Sequence, residues 1–513
     1  MAEIEQNFSF SQLWHLGYPT LILVIAAFTA LMTSIMRFKR SFLVTSIVSA
    51  LGFFLSALGT IFQIKAEVKG LFFGLEFGLY GQVLALIIAL IGLVVVLFSY
   101  RYWLDYEQEG KKEIIPETMA LMLFSAVGMQ LMLFAQNWII FVLSLEVMSI
   151  ALYILVGIRR YQVNSAEGAL KYFLLGSVAA AIMLMGISFL YGATGSLDMM
   201  SFLKAFSLLK LPTYSAGILV KAGLLLVLIG FIFKIAAVPF HFWAPDVYEA
   251  APMPVTGFMA TGVKVAAFGA FFRILMGIPY ISFDAEHNRL LLNFLGLIFI
   301  LTVVVANMTA LRQKSIKRVL AYSSIAHAGY LLLGVMSYIK HQGQGSSHEL
   351  EQIKTMFGSL QSILLYLAVY SLLTLGAFAV LTNLSKKKDL ENIEELKGLA
   401  GRQPLLAAAL SVFLFALAGI PPLGGFFAKY YLFSQAIATE LYLYAVIGIL
   451  FSAVSLYYYL APVVAMYFMK TEASQEQVQS EISTPFYSKL LIVGMMVLVF
   501  YVGLFPQSVL DLF

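Results

Sequence analysis

The sequence predicts an all-α polytopic membrane protein with about fourteen transmembrane helices. Three observations predict it. Of its 513 residues, 61% are hydrophobic and 12% charged, about half the charge that a soluble globular chain carries. The apolar residues gather in runs of about the 20 residues that cross a bilayer. These runs are continuously apolar, whereas a membrane β-barrel alternates with a period of two.

Charges, Gly and Pro bound each run. Spans are expected at roughly 17–36, 42–64, 79–100, 116–135, 138–157, 170–191, 219–240, 253–276, 290–310, 316–338, 357–383, 405–436, 441–468 and 487–508. The first ends at Arg37, the second at Lys65, the third at Arg101 and the fifth at Arg159 and Arg160. The ninth ends at Arg312 and the eleventh ahead of Lys386, Lys387 and Lys388. Between spans, 196–211 reads as an amphipathic helix on the outer surface. Residues 384–404 read as a solvated surface helix that offers a docking face, and 471–484 as a mobile loop. Four units are expected: a three-helix segment (1–115), a first repeat (116–280, helices 4–8), a second and inverted repeat (281–470, helices 9–13), and a polar loop with helix 14 (471–513).

Charge orients these spans. Alternate loops on one side hold nineteen Lys and Arg, and those on the other side nine. The positive-inside rule makes the richer side cytoplasmic, so both termini are expected outside, in a multi-pass protein of the cell (inner) membrane. This distribution accounts for the net charge of +5 without a nucleic acid partner. The chain has no Cys, which excludes cysteine-held Fe–S clusters, thiolate zinc, c-type haem and disulfides. No cleavable signal peptide is expected, because Glu3 and Glu5 stand where a basic region belongs.

The same count leaves four lysines within spans: Lys171, Lys234, Lys264 and Lys429. Glu146 is the one acid well inside a span, and His327 the one histidine. Each such charge costs at least about 2.5–3.5 kcal/mol. An ammonium destabilised by burial can release its proton, as a relay requires. A neutral His accepts at one nitrogen and donates from the other, so His327 suits a bridge between lysines. Ordinary packing competes with this reading for His327. Lys171 lies near the start of its span and could instead reach the cytoplasmic surface. Glu146 could act only as a counter-ion, and His241 reads as a structural or uptake residue.

An internal repeat supports a transport role. FVLSLEVMSIALYILVG (141–157) aligns with RVLAYSSIAHAGYLLLG (318–334) at an offset of 177, and FKIAAVP (233–239) with FALAGIP (415–421) at 182. Pro239 in one copy, and Pro421 with Pro422 in the other, should break their helices. Matched helices lie five spans apart, so the repeats run in opposite senses. Broken helices at corresponding positions mark the ion site of a transporter.

HFWAPDVYEAAP (241–252), with these intramembrane charges, resembles the antiporter-like membrane subunits of proton-pumping NADH:quinone oxidoreductase, respiratory complex I. The resemblance covers nearly the whole chain. The run Ala244, Pro245, Asp246, Val247, Tyr248 after Trp243 is similar to the subunit N branch, where sister subunits carry Leu-Pro-Asp-Ala. The sequence ends at Phe513 just after the last expected span, so the lateral helix of the largest sister is not expected. The resemblance implies fourteen helices in two inverted five-helix repeats, with broken helices 7 and 12. It implies proton transfer by Glu146, Lys234, Lys264 and Lys429, with Lys171 and His327 connecting them. It implies outward proton movement coupled to quinone reduction elsewhere, a translocase subunit without its own redox centre. FMN, Fe–S clusters and quinone would belong to other subunits. The expected partners are those membrane subunits, sister antiporter-like subunits included, and the lipid bilayer. A subunit of a multi-chain cation/proton antiporter or membrane-bound hydrogenase is the alternative, and a non-transporting scaffold the second. No G-x-G-x-x-G, G-x-x-x-x-G-K-[ST] or H-E-x-x-H occurs.

Overall fold

The computed structural model describes residues 10–36, 40–108, 115–199, 214–276, 285–342, 349–385, 389–470 and 484–510. The expected amphipathic helix at 196–211, from residue 200 on, and the polar loop up to 483 lie outside these residues, as do Arg37 and Lys386, Lys387 and Lys388. Among the described residues thirteen helices are long and apolar enough to cross a membrane.

α1 (Phe10–Ile35), α2 (Ser41–Lys65), α3 (Leu79–Gln108) and α4 (Ile115–Phe134) pack on one another. A hairpin absent from the sequence reading, β1 (Gly70–Phe72) with β2 (Leu75–Phe77), joins α2 to α3. α5 (Trp138–Val156) lies on α4, and α6 (Val163–Thr194) pairs with α7 (Tyr214–Lys234). Then come the short α8 (Trp243–Ala250), α9 (Met253–Phe258), a π-helical turn (Met259–Val263) and α10 (Lys264–Met276). α11 (Ala285–Ala310), α12 (Ile316–Gln342) and α13 (Glu349–Leu384) follow. α14 (Pro404–Ala418) and α15 (Gly424–Ala438) are the two halves of the expected twelfth span, and α16 (Tyr442–Phe468) and α17 (Phe486–Leu504) complete the set.

Burial separates centre from rim. The most apolar window of α12 is 100% buried within the chain, and those of Met253–Leu275 and α13 are 89%, against 33% for α1, α6, α16 and α17. The enclosed helices carry Lys264, His327, Tyr366 and Tyr370.

Both expected breaks are present. A proline ring clashes with the carbonyl four residues before it, which for Pro239 is Ile235 and for Pro422 is Ala418. α7 accordingly ends at Lys234 and α14 at Ala418. Each end closes in the same way. Ala237 N–H donates to Ile232 O (2.9 Å) and Ala236 N–H to Phe233 O (3.0 Å), with Ala236 at φ +55°. Ile420 N–H donates to Phe415 O (3.1 Å) and Gly419 N–H to Ala416 O (3.0 Å), with Gly419 at φ +89°. Both are Schellman closures with a left-handed residue. They align at an offset of 183, one more than the expected 182, and pair Pro239 with Pro422. Identity of Phe, Ala and Pro had favoured Pro421, but backbone conformation sets the register.

Residues 384–404 are not a solvated surface helix. Ser385 and Asp389 are buried, and among the described residues the loop between α13 and α14 holds a 3-10 turn (Ile393–Leu396) and a four-residue helix (Leu399–Arg402) but no longer helix. Ion pairs to Asp389 draw it inward, and Ile316 N–H donates to Glu391 O (3.1 Å) while Ile393 N–H donates to Lys314 O (2.9 Å).

Candidate functional site

The first break leaves backbone groups that need partners inside the bundle. Trp243 Nε1–H donates to Phe233 O (3.1 Å), and Val238 N–H donates to Thr302 Oγ1 on α11 (3.0 Å). The Trp243 ring stacks on Tyr172, with centroids 4.7 Å apart. These contacts fix Lys234, the last residue of α7. Its Nζ donates to Ser149 Oγ on α5 (2.7 Å) and stands 5.9 Å from the Tyr172 ring centre, within cation–π range.

A cavity of about 10 Å³, room for a single water, lies between Lys234 and Lys264, against Trp243, Ala244, Tyr248 and Ser324. Lys264 follows directly on the π-helical turn, a feature common at functional sites. Its ammonium donates to Ser324 O, to Ser324 Oγ (2.7 Å) and to Tyr370 Oη (3.4 Å). One turn further along α12, His327 Nδ1 bonds Tyr366 Oη (2.6 Å) and Nε2 bonds Tyr459 Oη (3.1 Å). Tyr459 Oη also bonds Ser323 Oγ. Two hydrogen-bonded sets, Lys264 with Ser324 and Tyr370, and His327 with Tyr366, Tyr459 and Ser323, thus lie side by side along α12, with the His327 and Tyr370 ring centres 4.9 Å apart.

Lys429 sits just past the second break. Its Nζ donates to Ala418 O (2.9 Å), the carbonyl end of α14, and to Ser452 Oγ (2.9 Å). A cation at a helix C-terminus is favoured by the helix dipole. The ammonium lies 5.5 Å from the Tyr330 ring centre, and that ring is edge-on to His327 at 5.7 Å.

Four expected residues therefore come together in the enclosed centre: Lys234, Lys264, His327 and Lys429. Two do not join them. Glu146 makes no ion pair with Lys234 within 4.0 Å; its buried Oε1 has no hydrogen-bond partner, and Ser149 takes the ammonium instead. Lys171 is half-exposed and pairs with Glu167 (2.8 Å) and Asp246 (3.1 Å). It lines a second cavity of about 620 Å³, shared with Arg159, Asp246, Glu249, Lys317 and Asp389. There Asp389 Oδ1 accepts from Arg159 (2.9 Å) and Oδ2 from Lys317 (2.5 Å). Burial pushes the Asp389 carboxyl up, but Lys317 and Arg159 outweigh it and hold it below the usual carboxylate range. Asp246 behaves alike: burial raises it, while Lys171 and Arg318 bring it lower.

Sequence reasoning missed the hydroxyl partners and this vestibule. The signal for the hydroxyls was present: Ser323, Ser324, His327 and Tyr330 recur on α12, and Tyr366 and Tyr370 lie four apart on α13.

A fold of paired repeats with broken helices and an enclosed line of lysines defines an antiporter-like membrane subunit. The family described as "NADH:quinone oxidoreductase/Mrp antiporter, TM" matches residues 135–455. The chain belongs to this family. Relatives at 33–42% identity include subunit N proteins of NADH-quinone oxidoreductase. Subunit N 1 of Thermodesulfovibrio yellowstonii is 42% identical over 396 residues, 76% of this chain and 77% of the relative. Subunit N of Rhodospirillum rubrum is 33% identical over 501 residues, 96% and 94% of the two chains. A chain of Thermus thermophilus respiratory complex I superposes with a TM-score of 0.75 at 32% identity, covering 96% of this chain and 98% of that one. Mrp complex from Dietzia shares the fold, with a TM-score of 0.78 at 20% identity, 96% of this chain and 95% of the other.

Proposed function

We propose that this membrane-arm subunit of a respiratory NADH:quinone oxidoreductase moves protons along Lys234, Lys264, His327 and Lys429, driven by quinone reduction in other subunits. The observation that carries it is the enclosed line itself. Four ionisable groups lie buried, Lys234 and Lys429 beside the two matched helix breaks and Lys264 and His327 on α10 and α12, each with hydroxyl or carbonyl partners and none with a carboxylate within 4.0 Å. A purely structural ammonium in such a place gains most from a counter-ion; one held by neutral oxygens keeps the freedom to lose its proton. Moving one charge against 100 mV needs about 2.3 kcal/mol, and a hundredfold change in a lysine's proton affinity supplies about 2.7 kcal/mol.

Glu146 acts in this reading through the field it sets on Lys234, and Lys171 from the vestibule. The repeats are 116–280 and 281–470, and the matched Schellman closures support that division. Arg159 and Lys317 line the vestibule on the side richer in Lys and Arg, so that face is cytoplasmic and the termini face outward across the cell (inner) membrane. FMN, Fe–S clusters and the quinone site belong to partner subunits.

Lys234→Ala in the assembled complex tests the reading. Proton uptake by membrane vesicles and the coupled quinone reductase rate should fall together by tenfold or more, at normal subunit content. Normal pumping would leave the chain a scaffold. Cysteines at Glu394 and Lys69 test the orientation: an impermeant thiol reagent on intact cells should label only the second.

A further inference from the structure

α8 is a wall two helical turns long. One side of it, Asp246, Glu249 and Ala250, lines the vestibule of about 620 Å³. The other, Trp243, Ala244 and Tyr248, lines the small cavity between Lys234 and Lys264. The helix is held from α12, on the opposite repeat. Arg318 bonds the carboxylates of Asp246 and Glu249, each at 2.9 Å. Lys317 reaches beneath its end, donating to Glu249 O (3.2 Å) and Ala251 O (2.7 Å) while pinned by Asp389.

We propose that α8 is the gate between the vestibule and the Lys234–Lys264 cavity, held closed by Lys317 and Arg318. This rests on the reading of Lys234 and Lys264 as proton carriers. Two features make the helix movable. Its N-terminal side follows a break, not a continuous turn, and is anchored by the Trp243–Phe233 hydrogen bond. Its face to the vestibule is fastened by half-exposed ion pairs, which are individually weak. Lys317, buried with all three of its donors used, is the pivot. The repeat register adds an independent point: an offset of 183 lays Asp246 on the position of Lys429, so the gate helix carries its acid where the second repeat carries a proton-carrying lysine.

The test uses the absence of cysteine in this chain. Ala244→Cys reports on the inner cavity, and Asn164→Cys, exposed in the vestibule, is the control. The detergent-purified complex is treated with 2-aminoethyl methanethiosulfonate, and modification is read on this subunit by mass. The Asn164→Cys thiol should react fast in every background. The Ala244→Cys thiol should react slowly alone, and at least tenfold faster when combined with Arg318→Gln or Lys317→Gln. Arg318 is half-exposed, so its variant carries the test if Lys317→Gln fails to assemble. Equal rates at position 244 with and without Arg318→Gln, or a rate matching position 164 in the unaltered latch, would overturn the gate. Labelling does not depend on pumping. A flat labelling result beside an inactive Lys234→Ala enzyme removes the gate alone; an active Lys234→Ala enzyme removes the relay.

Discussion

Lys234 Nζ donates to Ser149 Oγ at 2.7 Å, one helical turn along α5 from Glu146. Ser149 Oγ in turn donates to Leu145 O, and the buried Glu146 Oε1 has no hydrogen-bond partner, so no hydrogen bond joins Glu146 to Lys234 and any influence of the acid on the base crosses a gap. A carboxylate acting at a distance affects Lys234 by its charge and not by its shape.

Glu146→Gln keeps shape and loses charge, so proton uptake and quinone reduction should fall several-fold in a fully assembled complex. Glu146→Asp should retain much of the activity. Ser149→Ala removes the acceptor of a buried ammonium and should be at least as damaging, since an unpaired buried charge costs more than a lost neutral bond. Vesicle proton uptake measured beside subunit content checks all three. Full activity in Ser149→Ala would show that this hydroxyl does not hold Lys234.

Gly419 offers a test of the second break. At φ +89° an added Cβ would stand 3.1 Å from Lys429 Cδ and 3.4 Å from its Nζ. Gly419→Ala therefore adds about 1–2 kcal/mol of left-handed strain and pushes the ammonium off Ala418 O. Pumping should drop several-fold. At the matched position, Ala236→Gly relieves strain of the same kind and should leave activity unchanged while raising the thermal midpoint slightly. Equal behaviour of the two variants would separate Lys429 from the break.

Asp389 neutralises two buried cations at once. Asp389→Asn leaves Arg159 and Lys317 without their carboxylate, a loss of about 3–5 kcal/mol for a broken buried pair. The thermal midpoint of the subunit should fall, and Cys reactivity at α8 should rise. The pH dependence has a definite sign. Asp389 titrates lower in the folded protein than unfolded, so its contribution is complete above the ordinary Asp range near 4 and is lost as pH falls through the lower folded value. Stability measured from pH 7 to 5 should show no Asp389-dependent loss, and unaltered and Asp389→Asn proteins should converge only below about pH 4.

Much of this fold was legible because bilayer burial imposes length and continuity on each span, and because prolines mark breaks whatever the tertiary context. Lys234, Lys264, His327 and Lys429 stood out for the same reason: charge is too costly in an apolar run to be incidental. What they touch was not legible. Ser149 reaches Lys234 across 85 residues of sequence and Asp389 reaches Arg159 across 230. Only the packing of helices, which hydropathy does not encode, brings such residues together. Lys171 was ambiguous for a local reason: near a span end, a lysine can turn either to the core or to water, and Asp246 decides it. The hairpin 70–77 was hidden because its residues are short, apolar and flanked by long apolar helices.

Lys264 carries the last prediction. Its ammonium has Ser324 O, Ser324 Oγ at 2.7 Å and Tyr370 Oη at 3.4 Å as neutral partners, and it is enclosed by the most buried helices of the chain. If its work is to hold charge, arginine can replace it; if its work is to release a proton, arginine cannot, because guanidinium stays protonated. Lys264→Arg and Lys264→Ala should therefore both reduce proton uptake and quinone reduction by tenfold or more. Tyr370→Phe removes one partner and leaves the serine contacts, so it should lower the rates only a few-fold. Assembly, read from subunit content, separates these losses from misfolding of the larger arginine. A Lys264→Arg complex that assembles and pumps at the normal rate would rule out proton release from this position and confine the relay to the other three groups.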